Sequence, residues 1–424
     1  MPPKGPPAKK NFVQRFFSAL GPGVITGAAD DDPSGIATYS VAGAALGTSL
    51  LWTAFITWPL MAAVQMMCAR IGMVTGRGLA GALRQKFPAP LIGIAALALL
   101  IANTINVGAD LTGMADAAGM LTGFNTHFFV VVFAGVIGFA TIRFRYYQIA
   151  SILKWLALTL FAYVITAIVI RPNWTTIARD TFVPSWPKGH EAWATLVAIL
   201  GTTISPYLFF WQASQEVEEE KAFGRRMRVR RQGATSKEIK DRKIDVGVGT
   251  FFSTLVMYFI ILTTALTLHM HGLTNIETSR QAAEALKPLA GSFAATLYTL
   301  GIIGVGLLAI PTLTGSAAYA FAETFHWRQG LDQKFMSARP FYGVIILSTI
   351  IGIGLDFANV NPVKALFWTA VINGLLAPFL LVAILIVACD AKIMHHQPSS
   401  LLGRLFVGLT ALLMFGAGVA LFVL

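Results

Sequence analysis

Gly21-Pro22-Gly23-Val24-Ile25-Thr26-Gly27-Ala28-Ala29-Asp30-Asp31-Asp32-Pro33-Ser34-Gly35-Ile36-Ala37-Thr38-Tyr39 places three consecutive carboxylates near the middle of an apolar segment. An uncompensated acid at the centre of a bilayer costs about 3 kcal/mol. Pro33 lacks an amide hydrogen and disfavours helix at Asp32, and Gly35 adds little helical preference. The pattern predicts a stretch unwound over Asp32–Gly35 between two half-helices. Such backbone survives at membrane depth only where it lines a cavity or is buried in protein. Free carbonyls beside a carboxylate then make a cation site. Asp30 and Asp31 stand at the edge of that site, and not all three acids are expected to be ligands.

The whole composition agrees with a membrane setting. Of 424 residues, 55% are hydrophobic and 12% are charged, about half the charge of a soluble chain. This excludes an ordinary soluble enzyme, a disordered protein and a coiled coil. The apolar stretches are continuous, not the alternating ten-residue segments of an outer-membrane barrel. Windows of helical length fall at 17–45, 48–69, 91–122, 127–142, 149–171, 192–217, 245–269, 292–322, 341–357, 363–389 and 403–424. Thr274–Leu289 is amphipathic and reads as a helix on the outer surface. The organisation expected is a cytoplasmic tail over 1–16, a five-helix unit over 17–171, an external loop over 172–191, a second five-helix unit over 192–389, and an inner loop with an eleventh helix over 390–424.

The net charge of +12 resides in loops. With the N-terminus inside, the inner side collects Lys4, Lys9, Arg70, Arg77 and the Arg225–Arg231 cluster, whereas Arg179 and Lys287 fall outside. That asymmetry satisfies the positive-inside rule and makes nucleic acid unnecessary as a partner. It places the chain in a cytoplasmic (inner) membrane with its C-terminus outside. Nothing near the N-terminus reads as a cleavable signal peptide. Cys68 and Cys389 lie in apolar segments and imply neither disulfide nor thiolate metal site.

A second interruption is written in Gly201-Thr202-Thr203-Ile204-Ser205-Pro206-Tyr207, where Pro206 marks either a break or a kink. It lies five spans after the first, so the two interrupted helices run in opposite directions. That is the layout of an inverted-repeat secondary transporter with its substrate between the breaks. In the third span Asn103, Asn106 and Asp110 share a helix face, fitting either a proton relay or interhelical hydrogen bonding. Asn373, beside Gly374, is open in the same way. His269, His271, His395 and His396 complete no metal-ligand spacing, and no catalytic or phosphate-binding motif occurs.

The Gly21–Thr38 segment, with Leu50-Leu51-Trp52, resembles the first span of the Nramp divalent-metal transporters, which carry an Asp-Pro-Gly-Asn motif there. The span-six segment is similar to that family's Met-Pro-His region. The resemblance implies an all-α LeuT-type fold of two inverted five-helix repeats plus an eleventh helix, with helices 1 and 6 broken. It also implies a transported divalent cation, no resident cofactor and no enzymatic activity. Carried over by position, Asp32 is the charged ligand, Ala29 and Thr202 supply carbonyls, and the Ser205 hydroxyl assists. Gly35 stands where the family has asparagine, Ser205 where it has methionine, and Tyr207 where it has histidine. Ala370 stands for a span-ten glutamine, with Asn373 a turn away, and Asn106 for a third-span acid. Tyr207, Asn106, Asp110, Asp31 and Asn373 are candidates for gating or coupling.

Exchanging a thioether for a hydroxyl removes a preference for softer metals. Small side chains at Gly35 and Ser205 are expected to leave room for water, which suits Mg²⁺. The sequence therefore resembles the Mg²⁺-linked branch of the family more than its Mn²⁺/Fe²⁺ members. The expected activity is import of Mg²⁺ or Mn²⁺ by a monomer or weak oligomer, with protons as a candidate co-ion. The alternatives are a same-fold carrier of a non-metal solute, and a membrane sensor acting through the basic Glu218–Lys243 loop.

Overall fold

The computed structural model describes residues 22–143, 158–225, 227–358 and 361–424. Its first span is two helices, α1 (Pro22–Asp30) and α2 (Pro33–Leu46). There follow α3 (Trp52–Thr75), a short α4 (Leu79–Leu83), α5 (Ala89–Thr122), α6 (Thr126–Arg143), α7 (Phe161–Ile170) and a surface helix α8 (Trp174–Phe182). The second half opens with another divided span, α9 (His190–Thr203) and α10 (Pro206–Ala222), and continues with α11 (Ser236–Thr267). The short α12 (Ser279–Ala283) and α13 (Lys287–Ala290) precede α14 (Ala294–Thr324), α15 (Arg339–Asp356), α16 (Pro362–Cys389) and α17 (Leu401–Val423). No strand occurs among the described residues.

Nine spans among the described residues are long and apolar enough to cross a membrane. The sequence predicts two more, and each has a reason to be missing. Span one is cut into pieces of 9 and 14 residues, neither of which suffices alone. Span five is described only from Leu158, so the start of the 149–171 window lies outside the described residues. Large apolar side chains such as Ile94, Phe139, Ile350, Leu412 and Phe422 are exposed around the molecule. An apolar exterior of this extent requires a lipid environment.

One expectation is corrected. The first break lies at Asp31–Asp32 and not over Asp32–Gly35. Pro33 takes the first helical position, where its missing N–H costs nothing, so Ser34 and Gly35 are already helical. Within Thr274–Leu289 the chain is helical from Ser279 onward, with a tighter turn at Glu284–Leu286. Its apolar residues Ile276, Ala282, Ala285 and Leu286 are buried, whereas Arg280, Lys287 and Pro288 are exposed.

The charged flanks of α10 and α11 continue their helices beyond the apolar windows. Thr235 and Glu238 form a reciprocal cap at the start of α11. Arg242 then pairs with Glu216 and Glu219 of α10 and with Asp245 of its own helix. Asp245 Oδ2 accepts the backbone N–H of Gly23 at 2.7 Å. The start of α1 is thereby tied to α11, and α11 to the end of α10.

Helix contacts run through small residues. A Cβ on Gly27 would lie 2.4 Å from the Gly249 carbonyl, so α1 and α11 touch backbone to backbone. A Cβ on Gly201 would lie 2.0 Å from the Ala370 carbonyl oxygen, which sets the approach of α9 to α16. Gly201→Ala should force these helices apart at a cost of about 1–3 kcal/mol, as overpacking does. A clear drop in melting temperature in detergent is the expected result, and an unchanged one would mean that the crossing is loose.

Candidate cation site at the helix breaks

Both breaks arise in the same way. The first half-helix ends in a turn whose carbonyls take side-chain hydroxyls, and a proline at the first position starts the next. At the first break Asp32 is the N-cap of α2, its Oδ1 accepting the Gly35 amide at 2.7 Å. At the second, α9 ends at Thr203 and Pro206 opens α10, so Pro206 marks a true break. Ser205 turns its hydroxyl back toward the carbonyls of Gly201 (2.7 Å) and Thr202 (2.6 Å). Those carbonyls would otherwise be orphans of the helix end.

Three elements converge on Asp32. From α10, the Tyr207 hydroxyl donates to the Ala29 carbonyl at 3.0 Å and stands 3.5 Å from Asp32 Oδ2. From α5, Asn106 Nδ2 lies 3.1 Å from Asp32 Oδ2 and 3.2 Å from Asp110 Oδ2. From α2 itself, the Ser34 amide faces both carboxylates, adding the partial positive charge of a helix start. Asp32, Ala29, Asn106, Asp110, Thr202, Ser205 and Tyr207 are all buried. The cluster presents two carboxylates, backbone and amide carbonyls, and hydroxyls. Among the described residues no three His, Cys, Asp or Glu side chains converge as a metal cluster. A cation here would be held by oxygen atoms, the preference of hard divalent ions.

Gly35 faces the second break: a Cβ there would lie 3.2 Å from Thr202 Oγ1 and 3.5 Å from the Asp30 carbonyl. The glycine lets α2 and α9 approach, and that approach brings the two breaks together. Ser205 likewise spends its hydroxyl on its own helix. Asp31 lies outside the Asp32 cluster, its Oδ1 3.3 Å from Ser253 Oγ. Asn373 is buried on α16 with Oδ1 unpartnered among the described residues, and no hydrogen bond links it to Asp32. Asn103 turns away to α14, donating to the Leu313 carbonyl and Ser316. The third-span stripe therefore divides into helix packing at Asn103 and site chemistry at Asn106 and Asp110. His269 binds the Ala44 carbonyl, and His271 the Thr267 carbonyl.

Several participants were missed. Ser253 of α11 donates to Asp30 Oδ2 at 2.5 Å. Ser34 donates to the Leu366 carbonyl at 2.8 Å and lies 3.2 Å from Thr369 Oγ1, fastening α2 to α16. Tyr39 reaches Thr203 at 3.2 Å. The polar spacing Thr250, Ser253, Thr254 within an apolar run was the available signal for α11.

The arrangement can now be set beside known proteins. Residues 23–424 match the family described as natural resistance-associated macrophage protein-like, Nramp. The chain belongs to the Nramp family. It is 28% identical over 316 residues to the divalent metal cation transporter MntH of Yersinia pestis, covering 71% of each chain. Its fold is similar to the manganese transporter of Eremococcus coleocola, with a TM-score of 0.76 at 17% identity over 98% of this chain and 88% of that one. It is similar also to Mhp1, a nucleobase-cation-symport-1 family transporter, with a TM-score of 0.56 at 14% identity, covering 95% and 92% of the two chains. The LeuT-type fold implied by the family resemblance is the fold of this Nramp chain.

Ser253→Ala should remove the hydrogen bond from Ser253 to Asp30 Oδ2; Asp30 Oδ1 already lacks a partner among the described residues. Leaving a buried carboxylate short of a donor costs about 1–3 kcal/mol. Thermal unfolding in detergent should show a lower midpoint for this variant. An unchanged midpoint would mean that Asp30 draws its stability from elsewhere.

Proposed function

We propose that this Nramp protein carries a divalent metal cation across the membrane by alternating access, with Mg²⁺ or Mn²⁺ as the ion. The observation that carries the reading is the buried Asp32 carboxylate at the break between α1 and α2, facing the second break across Gly35 and Thr202. Asp32 is the charged ligand, and the carbonyls of Ala29 and Thr202 assist it. Ser205 and Gly35 shape the site where the family resemblance places side-chain ligands. Tyr207, bound to both Ala29 and Asp32, couples α10 to the ion. Asp31 and Asn373 complete the gating and coupling set.

Oxygen donors without a thioether or thiolate favour a hard ion. The curated relatives are named as divalent metal cation transporters, and the similar structure as a manganese transporter. These names favour a metal over a non-metal solute. The metal is cargo and the protein no enzyme. We place its N-terminus on the inner side of a cytoplasmic membrane and its C-terminus outside, from the distribution of Lys and Arg. Protons are the candidate co-ion.

Titration calorimetry of purified protein with Mg²⁺, Mn²⁺ and Ca²⁺ tests this directly. Saturable heat is expected in the wild type, and a loss of affinity of at least a hundredfold in Asp32→Ala. The order of the three ions should follow the hard-oxygen site, with Mg²⁺ bound no more weakly than Ca²⁺. No saturable heat with any of the ions would remove the metal from the reading.

A further inference from the structure

We propose that Arg70 of α3 and Arg404 of α17 clamp the phosphate of an anionic phospholipid, whose acyl chains lie along an exposed leucine stripe of α17. The site lies at the end of the bundle that carries the Arg225–Arg231 loop.

Arg70 Nε donates to the Gln397 carbonyl at 3.2 Å, and Arg404 Nε donates to the Ser399 carbonyl at 2.7 Å. Both guanidinium groups are thus tethered by one edge to a single loop, at carbonyls two residues apart. α17 packs directly on α3, and the two heads stand close enough for their like charges to repel. The loop is itself held in place. The Ser399 amide donates to the Ala388 carbonyl at 3.0 Å, and Gln397 Oε1 accepts the Ala234 amide at 3.0 Å.

Like charges brought together in half-buried positions call for an opposite charge. The chain supplies none. Neither arginine makes an ion pair with an acid, and every Asp and Glu of the sequence lies among the described residues. A guanidinium presents five N–H donors in a rigid fork. Here only the Nε of each is used, and no Nη bonds a protein acceptor among the described residues. Ser399, on the same loop, is 4% exposed and its hydroxyl also lacks a partner among the described residues. Two positive charges and a surplus of donors fit a phosphate, whose oxygens accept paired bonds from arginine.

The surroundings favour a lipid phosphate over one in solution. The Gly233 amide donates to the Val74 carbonyl at 2.8 Å, and a Cβ on Gly76 would lie 2.9 Å from Arg231 Cβ, so the basic loop sits on the end of α3. Arg70 lies about 8 Å of helix before that end, at headgroup depth and not beyond the bundle. Arg404 is in the first turn of α17. From that turn Leu401, Leu405, Leu409 and Leu412 recur at helical spacing, and each is at least 47% exposed. They offer acyl chains a path leading directly from the headgroup, and a free anion has no use for it. In the orientation proposed above, this end faces the leaflet richest in anionic lipid.

The experiment compares full-length wild type with Arg70→Gln, Arg404→Gln and, as a control, Arg230→Gln, an exposed arginine of the same end. Each is delipidated in detergent. Melting temperature is then read with dioleoylphosphatidylglycerol, with dioleoylphosphatidylcholine, and with sodium phosphate at matched ionic strength. Native mass spectrometry measures retained phosphatidylglycerol. Wild type should gain about 3 °C or more from phosphatidylglycerol and less than half of that from either other addition. Arg70→Gln and Arg404→Gln should each lose most of this gain and bind phosphatidylglycerol at least fivefold more weakly, while Arg230→Gln keeps both. Should the glutamine variants not be recovered folded, Arg70→Lys and Arg404→Lys keep the charge but lose the fork, and at least threefold weaker binding is expected.

Arginines that serve only to fasten the loop would lower the midpoint in every condition and leave the phosphatidylglycerol gain intact, which would overturn the inference. An equal gain from phosphatidylcholine would remove the anionic headgroup, and an equal gain from sodium phosphate would remove the lipid.

Discussion

Everything in this fold is organised around carboxylates that cannot reach water. Asp30, Asp31, Asp32 and Asp110 are buried in a body whose exterior is apolar. Each needs donors or positive charge, and the architecture supplies them piece by piece. Asp32 takes the start of α2, Asn106 and Tyr207. Asp30 and Asp31 share Ser253. Apart from the α2 amides at Asp32 and Asn106 at Asp110, these donors come from helices other than the one carrying the acid they serve. The requirement to satisfy the acids is thus also a requirement that α2, α5, α10 and α11 meet at one point.

Much of this was legible in the sequence because its signals are local. Asp32-Pro33 and Ser205-Pro206 announce broken helices through backbone chemistry alone, and the spacing between them carries the inverted arrangement. Apolar windows and the charge asymmetry gave the spans. The limits of legibility are equally physical. Pro33 was read as a helix breaker when its fixed φ makes it a helix starter, which moved the break toward the N-terminus. What lies against Gly35 was not legible, since a sequence shows the size of a side chain and not its neighbours: Thr202, far along the chain, faces it. The Asn103–Asn106–Asp110 stripe shared a face, yet a helix face is wide enough to meet two neighbours. Asn103 met α14 and the other two met the break. Ser253 and the Arg242 network depend on which helices pair, and no local pattern specifies that.

Both halves of the first span pack on α11, and each adds contacts of its own. α1 is tied to α11 by Asp245 at its start, by Gly27 against Gly249 in its middle and by Ser253 at Asp30. α2 meets α11 at Gly43, whose backbone lies against Ile261 and Thr264, and is fastened to α16 through Ser34 and to α9 through Tyr39. Between the two, only Asp31 and Asp32 are non-helical. A rotation at Asp31 leaves the bonds of Asp32 to the Gly35 and Ile36 amides in place. The same rotation moves the Ala29 carbonyl relative to the Asp32 carboxylate, and so alters any ion held by both.

The α1 side of that hinge is guarded by charge. Arg242 links Glu216 and Glu219 of α10 to Asp245, which holds the Gly23 amide. Separating α1 from α11 strips a donor from Asp245, and moving α10 strips Arg242 of two of its carboxylates. Breaking a buried ion pair by removing one partner costs about 3–5 kcal/mol, whereas exposing the whole set to water lets each charge solvate. A network of this kind therefore resists partial opening and yields when the surrounding space floods as a unit. In the proposed cycle that property is what a gate requires. In that proposal the first span bends at Asp31–Asp32, and the contacts of Arg242 with Glu216, Glu219 and Asp245 are the ones that open with it.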